Sequence, residues 1–260
     1  GGSGGVLNAV TKSGTNSFHG NGFYFLRDAK RDTASYFDQD GVPPFHRDQR
    51  GFTVGGPIKK NNTFFFLGFE NLKESKDRTT TINVPGADLR NGITPTGTVT
   101  VHPTSAALMA AMPLPNGRVE SNGIGEYTYE DSTNVDEVYW MAKVDHRFGA
   151  NDSVFLRYTR DTASNETPLP FPGFAVTAET TGQFFIGEWT KVLSSRWLNT
   201  ARFSVNSSDV EMTNVAEGID PSLSFIDGKV GAQLVVPGLS SWGDRGFDDR
   251  AYWLTPYQAS

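Results

Sequence analysis

Cysteine is absent from the 260 residues, which excludes a disulfide framework, a thiolate metal site and a cysteine nucleophile. Long apolar runs are absent too, and no stretch approaches the ~18–20 residues of a membrane-spanning helix. The first residues carry no basic region followed by an apolar stretch, the mark of a secretory leader. Positive charge is scarce: 23 Lys and Arg stand against 29 Asp and Glu, for a net charge of −6. That balance leaves no basic face for general nucleic-acid binding. Histidine is sparse, and the four at positions 19, 46, 102 and 146 include no pair spaced to ligate a metal from one helix.

Aromatic residues and glycine fill the space these absences leave. Phe, Trp and Tyr make up 12% of the chain, with 19 Phe and 28 Gly, although overall hydrophobicity is only 37%. The length permits one large or two small domains. Across most of the chain the apolar residues recur with a period of two, not 3.6. In "EVYWMAKVDHRFG" (137–149), Val138, Trp140, Ala142, Val144 and Phe148 share one face; Tyr139, Met141, Lys143, Asp145 and Arg147 share the other. "NDSVFLRYTRD" and "RWLNTARFSVNS" alternate in the same way. These are strands with one apolar and one strongly polar face.

The same periodicity places strands near 17–27, 49–58, 63–76, 137–148, 153–162, 183–192 and 196–208. "KKNN" (59–62), "GAND" (149–152) and "LSS" (193–195) read as tight turns. The intervening connections, 28–48, 77–136, 163–182 and everything after 208, are long. Short turns alternating with long loops match an outer-membrane barrel, with brief periplasmic turns and extended outer loops. The expected fold is therefore all-β: an antiparallel up-and-down transmembrane β-barrel, here a partial, open curved sheet with long loops on one side.

Phe64, Phe65, Phe66 and Phe69 come soon after one tight turn and Trp197 after another, where a membrane boundary favours aromatic girdles. The charges at mid-strand, such as Lys143, Asp145, Arg157 and Arg202, would be costly in a small dry core and, with Arg147, are at home in a hydrated lumen. They are the candidate lumen-facing ligand or plug contacts. One long connection holds a helix signal: "HPTSAALMAAMPLPN" (102–116) has Pro103 near its start and is ended by Pro113 and Pro115. It is expected on the extracellular side as a lid element.

Several phrases carry a family resemblance. "GGVLNAVTKSGTNSFHGNGFYFLRD" (4–28), "FTVGGPIKKNNTFFFLGFENLKE" (52–74), "MPLPN" (112–116) and "KVDHRFGANDSVFLRYTRD" (143–161) resemble the TonB-dependent outer-membrane receptors of the Oar-like type. The resemblance implies a barrel of about 22 strands with a plugged lumen, of which this chain would hold roughly a third. It implies that residues 1–15 are the C-terminal end of the plug and 16–260 the N-terminal portion of the barrel. The partners implied are outer-membrane lipid, an unknown small-molecule, oligosaccharide or peptide ligand, and the TonB energising complex, engaged through N-terminal parts outside this chain. The localisation implied is the outer membrane of a Gram-negative-type bacterium.

Other motifs are decoys. Gly1-Gly2-Ser3-Gly4-Gly5 satisfies G-x-S-x-G, yet a nucleophile elbow needs a strand before it and a helix after it, and "VLNAV" is strand-like. "GGPIKK" lacks the G-K-[ST] ending of a phosphate loop. "DQDG" (38–41) and "DRGFDD" (244–249) resemble calcium loops, but the first lacks the full twelve-residue spacing and the terminal Glu, and both read as solvated acidic loops. No catalytic residue, cofactor or metal is expected. The leading expectation is transport of a scarce, bulky nutrient across the outer membrane without chemical catalysis. The alternative is a secreted or cell-surface β-sandwich that binds glycans through exposed aromatics.

Overall fold

The computed structural model describes residues 11–33, 42, 44–225, 232–244, 250–254 and 257–259. The strands are β1 (His19–Asp28), β2 (Phe45–Lys59), β3 (Thr63–Pro85), β4 (Ile93–Thr94), β5 (Gly97–Thr98), β6 (Ile124–Arg147), β7 (Asp152–Pro168), β8 (Phe174–Ser194), β9 (Trp197–Ala216), β10 (Arg250–Leu254) and β11 (Tyr257–Ala259). Two short helices, α1 (Ala87–Arg90) and α2 (Pro103–Ala111), flank the β4–β5 hairpin. All strands but that hairpin form one antiparallel sheet in the order β1-β2-β3-β6-β7-β8-β9-β10, with β11 also on β9. Along β9, β10 pairs with residues 208–212 and β11 with 203–205 in one continuous register. They are two pieces of a single stave beyond residue 210, where the sequence pattern reads as loop.

The turns fall where Asn, Asp, Gly and Ser cluster. Asn61 adopts the left-handed conformation (φ 67°) that lets β2 reverse into β3. Residues 148–151 close β6 onto β7, and Ser194 opposes Trp197 across the β8–β9 turn. The expected hairpin of 137–148 with 153–162 is therefore present, and Trp140, Val144 and Leu156 share its exposed face, at 50%, 40% and 47% exposure.

At the opposite end the strands run further than their periodicity foretells. The β3–β6 ladder continues to Pro85 opposite Ile124, and β7 reaches β8 through only residues 169–173. The expected loop 163–182 is thus mostly strand, and the expected loop 77–136 is strand at both ends. The reason is a change of phase. In the turn-side half, apolar residues face outward: Phe65–Val144–Leu156–Gly187–Phe203 and Val54–Leu67–Ala142–Tyr158–Phe185–Val205 are two adjacent rows of directly opposed residues. Further along, the outward row is Asp48–Lys73–Asp136–Ser164–Glu179–Glu211. There the apolar side chains, Ile82, Val84, Tyr127 and Tyr129, sit on the other face.

The buried core lies at that loop end. Ile82, Val84, Leu108, Met112, Leu169, Phe171, Phe174 and Trp242 form one cluster. Phe174 meets Trp242 edge-on, 5.1 Å between centroids. Helix α2 contributes Leu108, is capped by the His102 ring accepting from Thr104 N, and ends at Met112 before Pro113. The expected lid helix is thus a packed element of this core. Beyond Lys76 the edge of β3 has lost β2, and Ser240 takes it up, donating from its N–H to Asn83 O and accepting from Asn83 N, each at 3.0 Å. Arg90, on α1, donates to the carbonyls of Pro85, Met112 and Pro113, tying strand end to helix end. Burial pulls its guanidinium below the usual arginine range.

Among the described residues no second sheet packs face to face on the first; the other sheet there is the hairpin of two-residue strands β4 and β5. The sandwich alternative does not describe this architecture.

Candidate functional site

Lys143, Asp145, Arg147, Arg157 and Arg202 all occupy the inward face of the turn-side half. Lys143 opposes Arg157 directly, and Arg147 opposes Ser153. Asp145, Phe155, Glu188 and Arg202 form the next row. Period-two alternation fixes this grouping, since every second residue of a strand shares a face.

Their charges are mostly compensated. Lys143 is only 6% exposed; its ammonium lies 3.2 Å from Asp145 Oδ1 and 4.9 Å from the centre of the Phe155 ring. Arg202 pairs with Glu188, its Nε 2.8 Å from Oε2. Arg147 lies over the Phe64 ring. The N-terminal segment then crosses this face. Ser13 Oγ accepts from Lys143 Nζ at 2.7 Å, and Thr11 Oγ1 accepts from Arg157 Nη1 at 3.4 Å. Between segment and wall is a cleft of about 410 Å³ lined by Ser13, Asn16, Phe64, Asp145, Arg147 and Glu188 among others.

Sequence reasoning missed the acidic half of the face. Glu188 stands in "FFIGEWT" between the outward Gly187 and Trp189, and that alternation is the one signal that could have found it. Towards the loops the inward residues Glu70, Glu74, Glu137 and Asp161 gather on the side of Arg47, which lies 3.5 Å from Glu74. Gln49 donates to Glu70 across the β2–β3 pair. The inner face is therefore basic near the turns and acidic near mid-wall. Such a face offers hydrogen-bond and charge partners to a polar solute.

The histidines remain dispersed: His146 meets Thr63, His46 lies 3.6 Å from Asp28, and His102 caps α2. Among the described residues no group of three His, Asp or Glu is placed to hold a metal ion. Ser3, residues 38–41 and most of 244–249 lie outside the described residues.

The outward face decides the class. Phe52, Leu67, Trp140, Val144, Leu156, Phe185 and Phe203 are all exposed on one side of the sheet, a band too large and continuous for a water-facing surface. From Val138 on β6 to Phe148 just past its end it spans about 25 Å at ~3.4 Å per residue and a tilt of ~45°. That is the height of the apolar belt on an outer-membrane barrel. No helix among the described residues is long and apolar enough to cross a membrane; strands do the crossing. The fold and its faces define a partial wall of an outer-membrane β-barrel.

Comparison with known families agrees. Residues 10–249 match the outer membrane beta barrel domain, and the chain belongs to that family. Its place is the outer membrane of a Gram-negative bacterium. It is also similar to the TonB-dependent transporter Oar of Myxococcus xanthus, 35% identical over 92 residues, which is 33% of this chain and 9% of that protein's length. No solved structure matches the chain.

Proposed function

We propose that the chain is part of a TonB-dependent transporter that imports a scarce, bulky nutrient across the outer membrane. Residues 16–260 supply the N-terminal portion of the barrel, and residues 1–15 the end of the plug. The connections at the loop end and the polar inner face capture the ligand. Energy arrives from the TonB complex through N-terminal parts outside this chain. No bond is made or broken, so the protein is a carrier and not an enzyme, and the reading calls on no cofactor.

One observation carries this reading. Residues 11–16 cross the polar inner face and bond to it through Lys143 and Arg157, as the last strand of a plug would against its wall. The similarity to a transporter named as TonB-dependent supports it. A growth comparison tests it: native cells, cells lacking the gene and cells lacking TonB, each on a panel of oligosaccharides, peptides and chelated metals as sole sources. The expected result is one nutrient lost in both mutants. If the gene's absence impairs no nutrient, or impairs one that cells without TonB still import, the reading is overturned.

A further inference from the structure

At its loop end the outward apolar belt gives way, strand by strand, to a first polar residue. These are Arg50 on β2, Asn71 on β3, Asp136 on β6, Arg160 on β7, Gln183 on β8 and Ser207 on β9. Short turns mark the periplasmic end of such a barrel, so this boundary meets the outer leaflet. Two of the six residues are arginines, and both are exposed. Phe52 and Tyr158 are the last outward belt residues beside them, and Trp140 stands directly opposite Arg160.

These two arginines differ from the others on β1 to β9. Arg27, Arg47, Arg78 and Arg202 each pair with a carboxylate. Arg147 lies over the Phe64 ring, and Arg157 donates to Thr11. Among the described residues Arg50 and Arg160 neither donate a side-chain hydrogen bond nor pair with a carboxylate. The acidic groups nearby are engaged or remote. Asp136 is held by Lys73 at 3.0 Å, and Asp48 accepts from the Tyr24 hydroxyl at 2.7 Å. Glu179 stands beyond Gln183, the partner of Arg160, by about 14 Å along β8 at ~3.4 Å per residue.

An arginine at the edge of hydrocarbon lays its stem along the apolar surface and extends its guanidinium into the headgroup layer. The pairing that suits a planar guanidinium there is bidentate, to phosphate oxygens. In the outer leaflet those phosphates are carried on the sugars of a glycolipid. We propose that Arg50 and Arg160 bind headgroup phosphates of that glycolipid. The outward groups beside Arg160, on Thr162, Thr181 and Gln183, are uncharged and offer hydroxyls and an amide to the sugars. β2 and β7 are each paired on both sides, so closure of the barrel leaves both positions unaltered. The inference rests on the barrel and its place in the outer membrane, not on the transport reading.

Native mass spectrometry of the full-length protein, purified in detergent, tests it. The probes are lipid A bearing two phosphates, the same lipid A stripped of phosphate, and phosphatidylglycerol. The native protein should hold the diphosphorylated form at least about tenfold more tightly than either of the others. Arg50→Gln and Arg160→Gln should each weaken that binding about threefold, and the double variant about tenfold. Binding of the phosphate-free form should stay as it was. Arg196→Gln, which removes a charge from the β8–β9 turn at the opposite boundary, should leave all three unchanged. Heat-modifiable gel migration confirms assembly, and should the variants fail to assemble, the three lipids on the native protein decide. Equal binding of the phosphate-free form or of phosphatidylglycerol by the native protein overturns the proposal. So does an assembled double variant that binds like the native protein, or a loss in Arg196→Gln as large as its own. The transport reading fails in the growth comparison instead, and leaves the lipid result standing.

Discussion

Ala142 and Lys143 are neighbours in sequence and sit in different solvents. Ala142 lies in the outward row between Leu67 and Tyr158, whereas Lys143 is buried on the inner face beneath Ser13. Charge should therefore be tolerated unequally. Arg placed at Ala142 or Phe203 puts a cation in hydrocarbon, at a cost of roughly 2–4 kcal/mol near the midplane. Arg at Thr159 or Ser204, which face inward, should leave assembly of the full-length protein nearly unchanged. Heat-modifiable gel migration reads both, and equal yields from the two faces would contradict the orientation. Arg90 makes a different residue-scale case. It donates to the carbonyls of Pro85, Met112 and Pro113, and its removal takes a donor from each. Arg90→Ala should destabilise the packing of α2 by about 1–3 kcal/mol, the usual cost of orphaned buried polar groups. Faster amide exchange over 103–112, with the membrane half unaffected, is the expected signature.

At the scale of the element, β3 carries two environments in one strand. Its odd-numbered residues Phe65, Leu67 and Phe69 are the outward apolar set in the membrane half, and its even-numbered Ile82 and Val84 are the apolar set in the loop half. No bulge interrupts its ladder with β6, so it is the solvent that changes sides, not the backbone. Val84 is fully buried, and Val84→Asp should unfold the loop-end core, while Thr81→Asp on the hydrated face should be close to silent. Protease sensitivity of the intact cells' surface, with barrel migration as a control, separates the two. The same phase change marks how far the sequence can be read. Turns and membrane halves are legible because apolar and polar residues alternate there in one constant phase. The period-two reading stops at residue 76, short of the end of β3 at Pro85, and resumes at 137, past the start of β6 at Ile124, because the alternation reverses in those strand ends, and a reversal resembles a break. Lys143, Asp145, Arg157 and Arg202 are legible as charges within strands and Arg147 as the charge that ends one. The roles of Glu188 and Asp161 are not, because a carboxylate's role here depends on which guanidinium or ammonium the neighbouring strand sets beside it. That register is a tertiary fact. The β10–β11 stave is hidden for a related reason: it consists of short pieces whose only regularity is their pairing to β9.

At the scale of the whole chain, the described residues form a wall with an edge at each side. Among the described residues β1 has β2 on one flank only, and β9 beyond β10 and β11 offers unpaired positions on the other. Lipid satisfies no backbone N–H or C=O, so a spanning sheet must close, and an exposed strand edge in water is a template for pairing with another chain. The outward band adds to the difficulty, since Trp140, Leu156, Phe185 and Phe203 have no apolar medium to enter in buffer. The buried cluster at the loop end is small beside that band and cannot by itself hold a large sheet flat in water. Residues 1–260 made alone in the cytoplasm should therefore accumulate as insoluble material, and detergent should be needed to keep them dispersed. Sedimentation and thermal unfolding without detergent provide the check. A soluble monomer melting in one cooperative transition would mean that the outward aromatic face is covered by protein and not by lipid.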